Sequence, residues 1–194
     1  MNSDQVLDEF RDAEALLEGH FILSSGLHSR TYLQCARVLM DTKRAARLAE
    51  ALVAKIKATA EGPIEAVVAP AMGGLIIGHE VARALGVDSM FLERVDGEFT
   101  LRRGFHLDDK PNVVMIEDIV TTGLSSREAI AAIGAHGGHV VGAGCLIDRS
   151  GGTADIGVNL SSLAAITVET FSADDVPEDL SDIPAVKPGS RGLK

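Results

Sequence analysis

The sequence has no tryptophan, one tyrosine and only two cysteines, Cys35 and Cys145. Two widely separated cysteines exclude a disulfide-stapled fold and any four-cysteine zinc site. Cations are also scarce: 18 Lys and Arg against 28 Asp and Glu leave a net charge of −10. That balance argues against a general grip on nucleic acid or an anionic membrane. Long hydrophobic runs are missing as well. The most apolar stretch, residues 66–78, is interrupted by Pro70 and Gly73–Gly74, so a membrane-spanning helix is not expected. The opening MNSDQVLDEF is acidic and polar, unlike a secretory signal, and a cytoplasmic location is expected. What is present suits a folded domain: 194 residues, 46 % hydrophobic and 24 % charged, with 20 glycines. At roughly 150 residues per domain this is one unit. It is long enough to bury roughly 70 % of the surface its unfolded chain exposes.

Apolar residues recur at helical spacing over residues 4–19 and 41–60. In the second stretch Ala45, Leu48, Ala49, Leu52, Val53 and Ile56 share a face, with Asp41 as N-cap and Gly62–Pro63 as the stop. The intervening HFILSSGLHSRTYLQC is β-branched and aromatic around a Ser-Ser-Gly turn, and reads as a hairpin. Strands are expected at Ile64–Ala69, Ser89–Glu93, Val113–Ile116, His139–Ile147 and residues 162–169. Helices are expected from Gly73–Gly74 to Leu85 and over Ser125–Ala135. Residues 94–110 are polar and long for a compact loop, as befits a functional flap or an exposed hairpin. The tail from Ser172, with Asp174, Asp175, Glu178, Asp179 and three prolines, is expected to pack loosely. Strand–helix alternation with continuously apolar strands predicts an α/β fold, a twisted, mainly parallel sheet flanked by helices on both faces. Ligands of such sheets sit beyond the carboxyl ends of the strands.

One strand-to-helix turn stands out: Val113-Val-Met-Ile-Glu-Asp-Ile-Val-Thr-Thr-Gly-Leu-Ser125. A buried strand delivers two adjacent carboxylates, Glu117 and Asp118. Successive side chains on an extended strand point to opposite sides, so the pair need not repel at contact. Such acids suit vicinal hydroxyls, or a hydrated metal bound to them. The hydroxyl- and glycine-bearing turn that follows presents amides at a helix N-terminus, where a phosphate is favoured. A solvated capping turn would use the same residue types.

IEDIVTTG resembles the phosphoribosyl-diphosphate-binding motif of type I phosphoribosyltransferases. GHFILSSGLHSRTYLQ resembles the amino-terminal hood segment of the orotate phosphoribosyltransferases, APAMGG their pyrophosphate loop, LRRGF part of their mobile loop and CLIDRSGG their base-binding segment. These motifs follow in family order over about residues 19–152. The resemblance implies a small N-terminal hood, mainly residues 1–40, on a core of about 41–170, with the acidic tail at about 172–194. It implies transfer of the 5-phosphoribosyl group from phosphoribosyl diphosphate to orotate, giving orotidine 5′-monophosphate and pyrophosphate in pyrimidine synthesis. Glu117 and Asp118 would bind the ribose hydroxyls, and the rest of the segment, Ile119, Val120, Thr121, Thr122, Gly123, Leu124 and Ser125, would complete the donor site around the 5′-phosphate. Thr121 would also touch orotate, and Arg149 would pair with its carboxylate. Mg²⁺ would enter with the donor, near Glu117 and Asp118. Arg94, Arg102 and Arg103 would be the catalytic cations, on a loop shared across a homodimer.

Purine-type relatives usually place Asp where this chain has Thr121, so the resemblance favours orotate over a purine. A non-catalytic regulator sensing phosphoribosyl diphosphate is the other alternative, and the −10 charge without an added DNA-binding domain speaks against it. The chain departs from the family pattern at Ser24 and Gly73, where many members carry Lys, and its loop is arginine-bearing and short, as in a bacterial-type branch. Elsewhere the residues read as structural. Lys43, Arg44 and Arg47 are expected on a solvated helix face, and His28 and Tyr32 in fold contacts. Cys145 is expected to be buried and inert, and His136 with His139 is not expected to bind metal.

Overall fold

Asn2 and Gln5 open the chain with a reciprocal pair of 2.9 Å hydrogen bonds that cap α1 (Ser3–Asp12). The computed structural model describes residues 1–23, 25–109 and 111–188. A hairpin of β1 (Leu16–Ile22) and β2 (His28–Leu33) follows, then the short α2 (Cys35–Leu39). Ser24 lies outside the described residues. α3 (Thr42–Thr59) starts where the Asp41 carboxylate accepts bonds from the Lys43 and Arg44 amides at 2.9 and 3.1 Å. Those bonds hold the Asp41 carboxyl below its usual range. The remaining elements are β3 (Ala66–Pro70), α4 (Gly74–Leu85), β4 (Asp88–Val95), β5 (Glu98–Leu101), β6 (Asn112–Val120), α5 (Leu124–Ala135), β7 (His139–Asp148), β8 (Leu160–Ala165), β9 (Thr170–Phe171) and α6 (Glu178–Ser181).

The main sheet has the order β5-β4-β3-β6-β7-β8 and is parallel except at the edge strand β5. Its buried strands alternate between two apolar layers. Val67, Val114 and Ile116 pack with Leu48, Leu52 and Ile56 of α3 and with Ile77 and Val81 of α4. Ala66, Val68, Val113 and Met115 pack with Ala129 and Ile133 of α5. The α4 connection carries the chain outward from β3 to β4, whereas the α5 connection carries it the other way from β6 to β7. The strand order therefore reverses between β3 and β6. Chain direction diverges there, and the carboxyl ends of those two strands flank an open crevice.

Several elements differ from what the sequence pattern predicts. The helical spacing of residues 4–19 ends at α1, because Glu14 turns back with φ 50° and Leu16 and Leu17 pair with Leu33 and Tyr32. Pairing across the hairpin outweighs the local periodicity. The third expected strand, Val113–Ile116, runs on to Val120, so both acids lie within it. The polar 94–110 segment, expected as a flap or an exposed hairpin, does form a hairpin over part of its length, β4–β5, turned by Asp96 at φ 51° and Gly97 at φ 92°. Lys110 lies outside the described residues. Of the expected solvated face, Lys43 and Arg47 are exposed but Arg44 is largely covered. Arg44 Nε and Arg47 Nη2 donate to Glu9 at 2.8 and 2.7 Å, tying α3 to α1.

Over its described part, residues 172–188, the tail is mostly exposed but is pinned to the hairpin at a few points. Just before it, β9 pairs with β2 to complete a three-stranded sheet. The Ile22 amide donates to the Val186 carbonyl and the Val186 amide to the His20 carbonyl, both at 2.8 Å. Leu180 is buried, and Asp179 grips the Arg30 guanidinium with both oxygens. The acids and prolines that suggest looseness surround a few apolar anchors.

Candidate active site

The alternation of β6 decides where its acids go. Glu117 continues the Val113–Met115 side, toward α5, where the buried Ser126 hydroxyl donates to Glu117 Oε2. Asp118 continues the Val114–Ile116 side, toward α4, and its Oδ1 accepts the Ile119 amide at 2.9 Å. Burial pushes both carboxyls above their ordinary range. The Ser126 and Ser125 hydroxyls partly offset that for Glu117, and the Ile119 amide does so for Asp118. Neither acid has a salt-bridge partner among the described residues. A buried Glu117 and a half-buried Asp118 with no salt-bridge partner among the described residues favour a cationic or hydroxyl-rich ligand. Ser126 was invisible to motif reading, because only the tertiary contact with Glu117 gives it meaning.

Thr121 and Thr122 are exposed at the end of β6, followed by the buried Gly123. Gly123 has φ 74°, and a Cβ there would lie 2.8 Å from Ile156 Cγ2, so both backbone and space call for glycine. Arg127 braces the turn from outside, donating through Nη1 to the Asp155 carbonyl at 2.6 Å and the Thr122 carbonyl at 3.3 Å. The amides of Thr121, Thr122 and Gly123 have no hydrogen-bond partner among the described residues and stand at the N-terminus of α5. Open amides and the helix dipole together favour a phosphate. On the other side of the crevice, residues 71–73 lead into α4, and the Ala71–Met72 peptide is cis.

Arg149 follows β7, and its amide donates to the Val120 carbonyl at 2.8 Å, beside the phosphate turn. Its side chain does not pair with Asp148. That buried carboxylate instead accepts the Ser150 amide and hydroxyl at 2.8 and 2.6 Å. The Ser150 hydroxyl oxygen in turn accepts the Thr153 and Ala154 amides, which fixes the loop that presents Arg149. Arg149 Nε is shut off from solvent and has no hydrogen-bond partner among the described residues. Burial lowers the affinity of this guanidinium for its proton, with Tyr32 of the hood acting the other way. Tyr32, for which the sequence favours fold contacts over an approach to ligand, thus stands within electrostatic reach of Arg149.

The loop arginines are not gathered at this crevice. Arg94 donates to Glu128 and to the Gly97 carbonyl and lies over the Phe99 ring at 3.9 Å, which makes it a clamp of the hairpin on α5. Arg103 forms two 2.9 Å bonds to Glu93, whereas Arg102 is exposed, makes no hydrogen bond or salt bridge among the described residues, and acts on Glu93 only through its charge. Both arginines follow the edge strand β5, three strands from β6, although the Arg103 guanidinium reaches back over β4 to Glu93. Of the other polar residues, His136 bonds Ala132 O at 2.9 Å, and His28 bonds His20 at 2.6 Å. Both cysteines are buried, with Cys145 pushed far above the usual thiol range by burial.

Comparison with known proteins agrees with this geometry. The family pattern described as the phosphoribosyl transferase domain matches residues 38–174. The orotate phosphoribosyltransferase of Erythrobacter litoralis is 60 % identical over 98 % of this chain and 99 % of its own. That of Rhizorhabdus wittichii is also 60 % identical, over 98 % and 97 %. The crystal structure of orotate phosphoribosyltransferase from Aeropyrum pernix superposes with a TM-score of 0.66 at 28 % identity, covering 82 % of this chain and 93 % of that one. This chain belongs to the phosphoribosyl transferase family and groups within it with the orotate phosphoribosyltransferases.

Proposed function

We propose that this chain transfers the 5-phosphoribosyl group from phosphoribosyl diphosphate to orotate, forming orotidine 5′-monophosphate and pyrophosphate for pyrimidine synthesis. The observation that carries the choice of base is Arg149. A half-buried guanidinium with an unpartnered Nε, one hydrogen bond away from the phosphate turn, suits a planar carboxylate such as that of orotate. Uracil and the purine bases would leave it unpaired.

The open amides of Thr121, Thr122 and Gly123 bind the donor 5′-phosphate, and the hydroxyl of Thr121 is free to reach the base. Glu117 and Asp118 hold the ribose hydroxyls. Displacement at the anomeric carbon breaks its bond to the pyrophosphate oxygen and forms the bond to orotate nitrogen with inversion. Positive charge that develops on the ribose is favoured by two carboxylates, one buried and one half-buried, with no salt-bridge partner among the described residues. The same acids fit Mg²⁺, which they would hold jointly with the ribose hydroxyls and diphosphate; when bound it supplies Lewis-acid stabilisation of the leaving pyrophosphate. Thr121 cannot accept a proton at neutral pH, which suits an acceptor that arrives as the orotate anion.

The position of Arg102 and Arg103 after the edge strand, rather than at the crevice of their own chain, supports a homodimer in which this loop serves the neighbouring site. Exposed Met72 and Ile76, beside the crevice, are apolar surface that a second copy would cover. Two buried free thiols suit a reducing cytoplasm. The test is to mix protein, Mg²⁺ and phosphoribosyl diphosphate with orotate, uracil, adenine or hypoxanthine separately, and to follow orotate absorbance and pyrophosphate release. Turnover with orotate alone is expected; release with a purine but not with orotate would overturn the reading.

A further inference from the structure

Three glycines, Gly73, Gly74 and Gly78, line the passage from β3 into α4, and they lack side chains for different reasons. A Cβ on Gly74 would lie 2.8 Å from the Ile116 carbonyl oxygen, and one on Gly78 would lie 2.6 Å from Ala69 Cβ. Those neighbours are backbone or a short core side chain, so the two glycines let α4 settle on the sheet. Gly73 is different. Its φ of −58° and ψ of −42° are ordinary right-handed values open to any residue, so its backbone does not call for glycine. The three atoms nearest a Cβ there all belong to one carboxyl group: Asp118 Oδ1 at 2.6 Å, Oδ2 at 2.8 Å and Cγ at 2.9 Å.

A carboxylate is the movable end of its side chain, so a methyl group at position 73 threatens where Asp118 points more than whether the chain folds. The atom it would strike first, Oδ1, is also the one that accepts the Ile119 amide. Asp118 is half-buried between β6 and the start of α4, with its carboxyl group against the backbone of residue 73. We infer that Gly73 is a positioning residue for donor binding in this chain: where many family members carry Lys, the missing side chain here leaves the Asp118 carboxylate its seat facing the crevice between β3 and β6. A side chain at 73 would require that seat to differ. This rests on the assignment of Asp118 to the donor ribose.

The experiment compares wild type with Gly73→Ala by calorimetric titration of phosphoribosyl diphosphate in Mg²⁺, by thermal melting and by steady-state kinetics. Gly73→Ala is expected to weaken donor binding at least tenfold, to leave the KM for orotate within twofold, and to melt within about two degrees of wild type. The same substitution is then made in an Asp118→Ala background, with kcat/KM for the donor as the readout because it needs no saturation. With the carboxylate gone, Gly73→Ala should cost less than a further twofold. Donor affinity within twofold of wild type in the single variant would overturn the inference. So would the full tenfold loss recurring without Asp118, which would mark a plain packing role. The calorimetric titration contains no base, so wild type that bound donor yet left orotate untouched would fail the functional reading while leaving this comparison intact.

Discussion

Glu117 and Asp118 are neighbours in sequence, yet each is governed by a different layer of the molecule. Burial raises both carboxyls above their ordinary range. A raised acid keeps its proton to higher pH in the native than in the unfolded chain. Stability is therefore lost as pH climbs from the ordinary value toward the raised one. Donor binding runs the other way, since it requires the charged forms. Glu117→Gln should accordingly raise stability at pH 7 by about 1 kcal/mol while weakening donor binding. Thermal melts should show that gain disappearing below the ordinary glutamate value of 4.5, where wild-type Glu117 is neutral in both states. A gain of equal size at all pH values would mean that burial of the charge is not its source. Arg149→Ala should raise the KM for orotate at least tenfold and narrow the preference over uracil. Losing one partner of a desolvated charge pair costs about 2–5 kcal/mol. Donor affinity should hold, because the phosphate turn uses none of the Arg149 side chain; initial rates with each substrate varied would separate the two.

At the scale of elements, the hood depends on the far end of the chain. β9, Leu180, Asp179 and Val186 all bear on the β1–β2 hairpin, which carries Tyr32 toward Arg149. The exposed Arg30–Asp179 pair contributes little by itself, as surface ion pairs do. The backbone bonds of Val186 and the burial of Leu180 matter more. A chain ending after Phe171 should therefore be cut within residues 16–33 at least tenfold faster in limited proteolysis. It should bind orotate more weakly while retaining donor affinity within about twofold, because the donor site lies on the main sheet. Unchanged protection of the hairpin would show that the tail merely covers the hood.

At the scale of the whole molecule, the main sheet carries the proposed donor crevice at the strand reversal between β3 and β6, and an arginine-bearing edge on the far side of β4. Arg102 and Arg103 follow the edge strand beyond β4 rather than standing at the crevice of their own chain, so the proposed dimer is tested by complementation. Arg102→Ala combined with Arg103→Ala, and separately Arg149→Ala, should each be nearly inactive at low orotate. Random mixing at equal amounts gives half mixed dimers with one intact site each, so about a quarter of wild-type activity should return. No recovery after subunit exchange would confine the loop arginines to their own chain or remove them from the reaction.

The sequence by itself determined the strand–helix alternation of the main sheet, its parallel character and the turn from Glu117 to Ser125. These are local properties: continuous apolar strands, helical spacing and glycine placed where a turn needs it. Arg149 was legible too, as a lone cation after a buried strand. Other features required distant segments to meet. The pairing of Leu16 with Leu33 ended a helix that spacing alone would have extended, and Val186 and Leu180 docked a tail whose composition suggested looseness. Arg44 and Arg47 found Glu9, and Arg94 found Glu128, so cations that looked free became structural ties. Ser126 and Gly73 gained their roles only when the alternation of β6 sent one acid toward each covering helix. Local patterning fixes which elements form, whereas long-range packing decides which polar groups are consumed by the fold and which remain for a ligand.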